Sequence, residues 1–527
     1  MTMKRIFITI LAGTLLLTSC FKDLDQRPVT ETETDAETVY GSVSGFKGML
    51  AKIYGSFTLV GLEKGGSNAD LSSNNGQDLM RAYFNLQEAP TDEVANTWLS
   101  GDKVEAITFM TWDANDPWVA DGYYRLYYTI ALCNEFLRHG SDTEGFSEAE
   151  KADVASFCAE TRFIRALAYW MVLDLFGKGP YVDETMKVEA FMPEAYDAAK
   201  LFAYIESELK ATQDLMPASV EYGRANKDAA QFLLARLYLN AQTYGCGDHY
   251  SDCIAACEKL RTAGYSLEGD YSKLFNADNH LRTNEIIFPL VVDATNTVTW
   301  GTSTYVVCGQ CDHDGLLDAE GIFGIKEGWG SFRVRGNLPA LFGNPLTSTD
   351  KRCRFYTDGR SQWFTSNIDD SSQGFFCEKW TNLKDDGSIA SNSVESGVCT
   401  DWPLFRFADV LLMEAEAFLR GGQGITRSDA LGLLNQVRQR AYGNTTGDIA
   451  DADFTLPLIL DERGREFHFE AQRRTDLRRF ECFTGPSYIW EWKGGTLAGR
   501  AVDDRYNLYP IPAAELSANT NLKNDKY

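Results

Sequence analysis

The residues able to do chemistry fall into three groups: cysteines, carboxylates and aromatics. Cys308-Gly309-Gln310-Cys311, followed by Asp312 and His313, has the spacing of half a tetrahedral metal site. No second C-x-x-C completes it, and Cys253 with Cys257 fits the buried face of a helix equally well. Plain thiols or one local disulfide are the simpler reading. The chain carries no G-x-S-x-G, P-loop, H-E-x-x-H or G-x-G-x-x-G segment. Its 75 Asp and Glu residues allow folding alone to bring two together as a glycosidase pair. The Glu and Arg residues of 462–479 have the spacing of helix pairing, which reads as a structural network rather than catalysis. Stacking is the third chemistry. Aromatics make up 13% of the chain, with 11 Trp and 24 Tyr, which suits a surface for flat, neutral ligands as well as a core.

One more cysteine sets where this chemistry takes place. Lys4 and Arg5 precede an apolar run at 6–17, too short to span a bilayer, and Leu17-Thr18-Ser19-Cys20 follows. That sequence resembles the lipobox of bacterial lipoproteins. It predicts a signal peptide over 1–19 and lipidation of Cys20, with more than one acyl chain for stable anchoring. An ordinary signal peptide with a chance cysteine is the bland alternative. Phe21-Lys22-Asp23-Leu24-Asp25 resembles the acidic stretch that sends such lipoproteins to the outer face of the outer membrane. Residues 20–39, rich in Thr and Glu without periodicity, read as a tether.

Residues 40–527 must then position the chemistry, and they read as a single mostly α unit. The composition is 44% hydrophobic and 24% charged, an ordinary globular balance. A net charge of −25 repels nucleic acid and excludes it as a partner. Apolar residues at helical spacing predict helix-turn-helix units over 123–265 and 404–480, packed as in tetratricopeptide repeats. Leu404, Ala408, Leu411 and Ala415 fall on one such face, and 456–480 reads as one helix carrying Glu470 and Arg474 as a pair. The stretch 61–121 is rich in Gly, Asn, Asp and Trp and reads as irregular loops broken by short helices, and 270–401 reads as a loop-rich insertion with short strands at 285–290 and 304–307.

Four separated motifs resemble the SusD/RagB family of surface glycan-binding lipoproteins. They are Arg162-Phe163-Ile164-Arg165 with Asp174-Leu175-Phe176-Gly177; Pro403-Leu404-Phe405-Arg406 with Glu414 and Glu416; Glu462-Arg463-Gly464-Arg465-Glu466 with Arg473, Arg474 and Asp476; and Tyr509-Pro510-Ile511-Pro512. Further stretches are similar to the family's starch-binding founder: Phe84-Asn85, Ser303-Thr304-Tyr305 and Trp490-Glu491-Trp492-Lys493. The resemblance implies a tetratricopeptide-like scaffold with a loop-built ligand face. It also implies no catalysis, capture of an oligosaccharide, and a SusC-like TonB-dependent transporter as partner. An α-glucan is the implied ligand. Such a chain curves, so its stacking rings must lie on an arc.

Carried over by residue, the resemblance implies stacking by Trp300 and Trp329 and hydroxyl contacts from Arg81. The founder's third stacking position falls on Asn96, and the loop is one residue shorter, so Trp98 is expected to take that role. An acidic contact falls to Asp70 or Asp78, and a loop asparagine falls near Gly101. Trp112, Trp118 and Trp363 are aromatic candidates without a family match. No cofactor is required, but a calcium loop of the founder aligns with 275–285. There Asp278 and Asn279 are retained and Asp401 is within the set of candidate ligands, in a loop shorter and less acidic than calcium favours. Two other classes stay open at this point: a surface glycoside hydrolase, and a helical-repeat scaffold that binds protein alone.

Overall fold

Residues 35–61, 68–71, 77–187, 191–360, 367–368, 370, 373–391 and 397–527 are described by a computed structural model. The chain forms, in order, the helices α1 (Val43–Gly55), α2 (Leu79–Glu88), α3 (Pro117–Gly140), α4 (Glu148–Phe176) and α5 (Ala198–Gln213). Then come α6 (Lys227–Leu239), α7 (Tyr250–Arg261), α8 (Thr302–Gln310), α9 (Phe407–Leu419) and α10 (Arg427–Tyr442). The periodic segments supply those from α3 on, apart from α8. Local chemistry sets their ends. Asp116 caps α3 with Pro117 in its first turn, while Ser147 and Glu150 close a capping box on α4. Gly177, at φ 70°, stops α4 in the left-handed region that glycine tolerates.

From α3 to α7 each helix packs against the next, and α7, α9 and α10 continue the row. Their apolar stripes merge into one cluster of buried residues running from Tyr40 to Leu522. Two short antiparallel ladders brace the loop-rich side. In one, β1 (Val94–Asn96) pairs with β3 (Phe332–Val334), Asn96 opposite Phe332. In the other, β2 (Ile286–Leu290) pairs with β4 (Trp402–Arg406), Leu290 opposite Trp402.

Three expectations are corrected. The β-branched stretch 304–307 lies inside α8, because all nine residues of that helix are buried against neighbours and packing overrides strand propensity. Leu404 belongs to β4, and its helix begins only at Phe407. The expected single helix over 456–480 is two, α11 (Leu456–Phe467) and α12 (Arg473–Arg479). Between them Phe469 and Ala471 both stand at φ 60°, conformations that cost an L-residue energy and persist only when surroundings impose them.

Charge imposes that break. It turns Glu470 away from Arg474 and toward Arg406 Nε at 2.7 Å and Lys379 Nζ at 2.6 Å, while Arg474 pairs with Asp174 at 3.2 Å. Glu466, fully buried, accepts from Arg406 at 2.6 Å, from Arg352 at 2.9 Å and from Arg440. Arg352 also reaches Glu462 at 2.8 Å, and Arg463 joins Asp409 and Asp476, each at 2.7 Å. The Glu and Arg residues of this segment therefore form a structural network, as expected, but through partners distant in sequence rather than the Glu470–Arg474 pair.

Breaking one partner leaves buried charge uncompensated, at about 3–5 kcal/mol. Arg406→Leu should lose stability of that order in urea unfolding, and an unchanged midpoint would contradict the role. Burial alone would raise the carboxyls of Glu462, Glu416 and Asp409, but the arginines around them overcome it and hold each at about 2. Folded values below the ordinary 4.5 and 3.8 mean stability present above that range and lost as pH falls from there toward 2. Unfolding midpoints measured at pH 7 and pH 3 should show that fall.

Candidate functional site

The site begins at the N-terminal end of α2, a helix whose ten residues are all buried. Asp78 caps it, accepting the Arg81 N–H at 2.8 Å, and also takes the hydroxyls of Thr299 at 2.7 Å and Thr302 at 3.0 Å. The loop before α8 is thereby pinned to α2. A Cβ on Gly301 would stand 2.1 Å from that carboxylate, so only glycine allows the approach. Thr302 is held at φ 45°, strain concentrated where the loop must turn. Arg81 donates to the Trp300 carbonyl at 2.7 Å and to Asp102 at 2.9 Å, with its guanidinium 4.1 Å from the Tyr305 ring centre. One side chain thus joins the loops that carry Trp300 and Trp98. Burial raises the Asp102 carboxyl above its ordinary value, with Arg81 pulling the other way.

The β1–β3 ladder brings in the third loop. Thr97 donates its N–H to the Ser331 carbonyl at 2.8 Å and its hydroxyl to Gly330 at 3.0 Å, so residues 97–98 lie beside 329–330. Asn96 accepts the Trp98 N–H at 3.0 Å and donates to the Tyr305 hydroxyl at 2.7 Å. The C-x-x-C segment supports Trp329 through its backbone: the carbonyls of Cys308 and Cys311 accept the N–H groups of Trp329 and Gly330 at 2.8 and 2.7 Å. Gly328 permits this contact, since a Cβ there would meet the Asp312 carbonyl at 2.2 Å. Burial pushes the Cys311 thiol up to about 12, away from the thiolate a metal would bind.

These supports bring the three expected tryptophans together. The rings of Trp98 and Trp329 are 6.2 Å apart and inclined by 27°, and those of Trp300 and Trp329 are 6.1 Å apart at 48°. Trp300 is 37% exposed and the other two are half-buried, so the rings present a bent apolar surface to solvent. Arg81 and Asn96, expected at the ligand, are buried beneath it. Asp78 is buried as a helix cap, and Asp70 lies 3.6 Å from Lys52 of α1. Trp112 and Trp118 are core residues, the latter donating to the Asp102 carbonyl at 2.7 Å. Cys20 and Trp363 lie outside the described residues. Sequence reasoning misses Tyr305 and Asp102 as supports, although Tyr305 stands in a quoted motif; its partners Asn85 and Asn96 are distant in sequence.

Of the expected calcium ligands Asn279 and Asp401 meet, and protein groups bond their side-chain oxygens and one oxygen of Asp278. Asp401 accepts the Val292 N–H at 2.8 Å and the Tyr222 hydroxyl at 2.7 Å, Asn279 accepts the Asp401 N–H at 3.1 Å, and Asp278 accepts the Asp385 N–H at 2.9 Å. Among the described residues no group of three or more His, Cys, Asp or Glu is placed to hold a metal ion. This donor set does not fit the six to eight oxygens calcium takes.

Two family profiles match the chain: one described as the SusD family over residues 355–527, and one described as starch-binding associating with outer membrane over residues 63–239. The starch-binding protein SusD of Bacteroides thetaiotaomicron is 32% identical, over 99% of this chain and 98% of that protein. A SusD-like protein of Formosa agariphila is 26% identical, over 96% and 95% of the two chains. Among solved structures, a SusD-like protein from Bacteroides fragilis superposes with a TM-score of 0.71 at 20% identity, covering 95% of this chain and 100% of that one. Surface glycan-binding protein A from Bacteroides thetaiotaomicron, in complex with laminarihexaose, gives a TM-score of 0.69 at 18% identity, covering 92% and 99%.

Because protein groups bond the side-chain oxygens of Asn279 and Asp401 and one oxygen of Asp278, thermal unfolding should have the same midpoint in calcium and in EDTA. A drop of several degrees on chelation would contradict the assignment.

Proposed function

The chain belongs to the SusD family, and from that premise we propose that it is a non-catalytic glycan-binding lipoprotein of the outer-membrane surface, taking an α-glucan. The observation that carries this reading is the bent surface formed by Trp98, Trp329 and Trp300 from three separate loops. Indole faces suit the C–H faces of pyranose rings. Inclinations of 27° and 48° suit a chain that curves as it is stacked. The carboxylates that fasten the platform, Asp78 and Asp102, are buried and bonded to protein groups, which supports capture rather than cleavage of the ligand.

The lipobox at Cys20 supports an anchor, and family membership supports delivery to a SusC-like TonB-dependent transporter. Co-purification of tagged protein in mild detergent should bring down a large barrel protein; bait alone in repeated trials would argue against that partner.

Each stacked ring contributes on the order of 1 kcal/mol beyond burial, which less the ordering of a flexible chain gives dissociation constants of roughly micromolar to millimolar. Calorimetry should show maltoheptaose binding in that range, with Trp329→Ala or Trp300→Ala removing most of it while the fold is kept. Binding of laminarihexaose with none of maltoheptaose would overturn the α-glucan. Release of reducing ends from a polysaccharide would overturn the non-catalytic reading.

A further inference from the structure

The surface formed by Trp98 and Trp329 does not end at the indoles. It opens into a depression of about 480 Å³ lined by Thr97, Trp98, His313, Asp314, Trp329 and Arg333. Its floor is built from groups that bond one another: the Gly330 carbonyl accepts the Thr97 hydroxyl at 3.0 Å and Arg333 Nη1 at 3.1 Å. The Arg333 guanidinium lies 3.8 Å from the Phe376 ring centre, so the floor is packed from below as well. The far wall is a braced loop. Buried Asp312 accepts the N–H groups of Asp314 at 3.0 Å and of Leu316 and Leu317 at 2.8 Å, which fixes the backbone that carries His313 and Asp314.

Both wall side chains are exposed, and their chemistry is one-sided. His313 Nδ1 stands 3.3 Å from the Gly328 carbonyl and 3.5 Å from Glu327 Oε1. Both neighbours are acceptors, so the proton of the neutral imidazole belongs on Nδ1 and Nε2 is an acceptor. The Asp314 carboxylate is a second acceptor. A wall of acceptors selects groups that donate, and a pyranose diol supplies two O–H donors on adjacent carbons.

We propose that the groove continues past the Trp98–Trp329 end of the arc, the end away from Trp300, into a subsite at His313 and Asp314. This subsite takes one further unsubstituted pyranose of a neutral glycan, beyond those stacked on the three indoles. The proposal rests on the glycan-binding reading of the platform and adds a unit read by its hydroxyls rather than by its ring face. It predicts that affinity rises when the oligosaccharide grows beyond one ring per indole, and that His313 and Asp314 are responsible for the rise.

The test is calorimetry with a trisaccharide and a heptasaccharide of the malto series, with β-1,3-glucans of the same lengths alongside. The proteins are the wild type, His313→Ala, Asp314→Ala and His313→Gln, all checked for an unchanged thermal midpoint. Each alanine variant should bind the heptasaccharide roughly three- to tenfold more weakly and leave the trisaccharide unchanged. His313→Gln, which keeps an acceptor oxygen, should recover much of the loss. An equal loss at both lengths, or none at either, would overturn the subsite while wild-type binding keeps the platform. Length-dependent loss seen only in the β-1,3 series would keep the subsite and overturn the α-glucan. Wild-type protein that binds neither series would overturn the platform, and the subsite with it.

Discussion

Glu466 is fully buried, surrounded by Arg352, Arg406 and Arg440, guanidiniums from three distant segments of the chain. Removing any one of them leaves charge in a medium that cannot solvate it, so these segments are committed to one mutual arrangement. Arg406 leads into α9, Arg352 sits in the loop-rich stretch, and Glu466 lies in the last turn of α11; the network therefore joins the helical row to the loops. It also forces the turn at 468–472, which sends Arg473 to Asp92 at 2.7 Å and lets the Gln472 N–H reach Glu88 at 3.0 Å. Glu88 is the last residue of α2. The helix that carries the binding surface at one end is thus held by the ionic core at the other.

That placement explains how loops can offer a defined surface. Loop residues ordinarily fluctuate, and a stacking platform whose rings wander would lose affinity to ordering on binding. Here each indole has a support fixed in the core: Trp300 through its carbonyl to Arg81, Trp98 through its N–H to Asn96, and Trp329 through its N–H to the Cys308 carbonyl. Tyr305 stands among the supports, donating to Asn85 of α2 at 3.0 Å and accepting from Asn96. Several polar groups expected at the ligand lie beneath the indoles, where they bond the loops that carry the rings.

Legibility follows the range of the interactions. Helix spacing and caps are local, so the row of α3 to α7, α9 and α10 can be read from apolar periodicity with errors mainly at the ends. Trp98, Trp300 and Trp329 can be named through family resemblance, but their meeting depends on the Asn96–Phe332 register, which no local pattern encodes. The stretch 304–307 misleads because its β-branched residues favour a strand in isolation, while burial against α2 and β3 makes it a helix. The break between α11 and α12 escapes a local reading because Glu470 answers Arg406, 64 positions away, rather than Arg474. The supporting bonds of Arg81 and Asp78 escape for a related reason: a polar residue beside a loop reads the same whether it faces a ligand or the loop's own backbone.

The proposed function depends on a glycan lying across the three indoles. A crystal structure with maltoheptaose bound would decide the matter. Successive glucose rings should lie against Trp98, Trp329 and Trp300, with Arg81 still on the Trp300 carbonyl and one further ring at His313 and Asp314. Sugar bound on another face, with the three indoles bare, would contradict that placement.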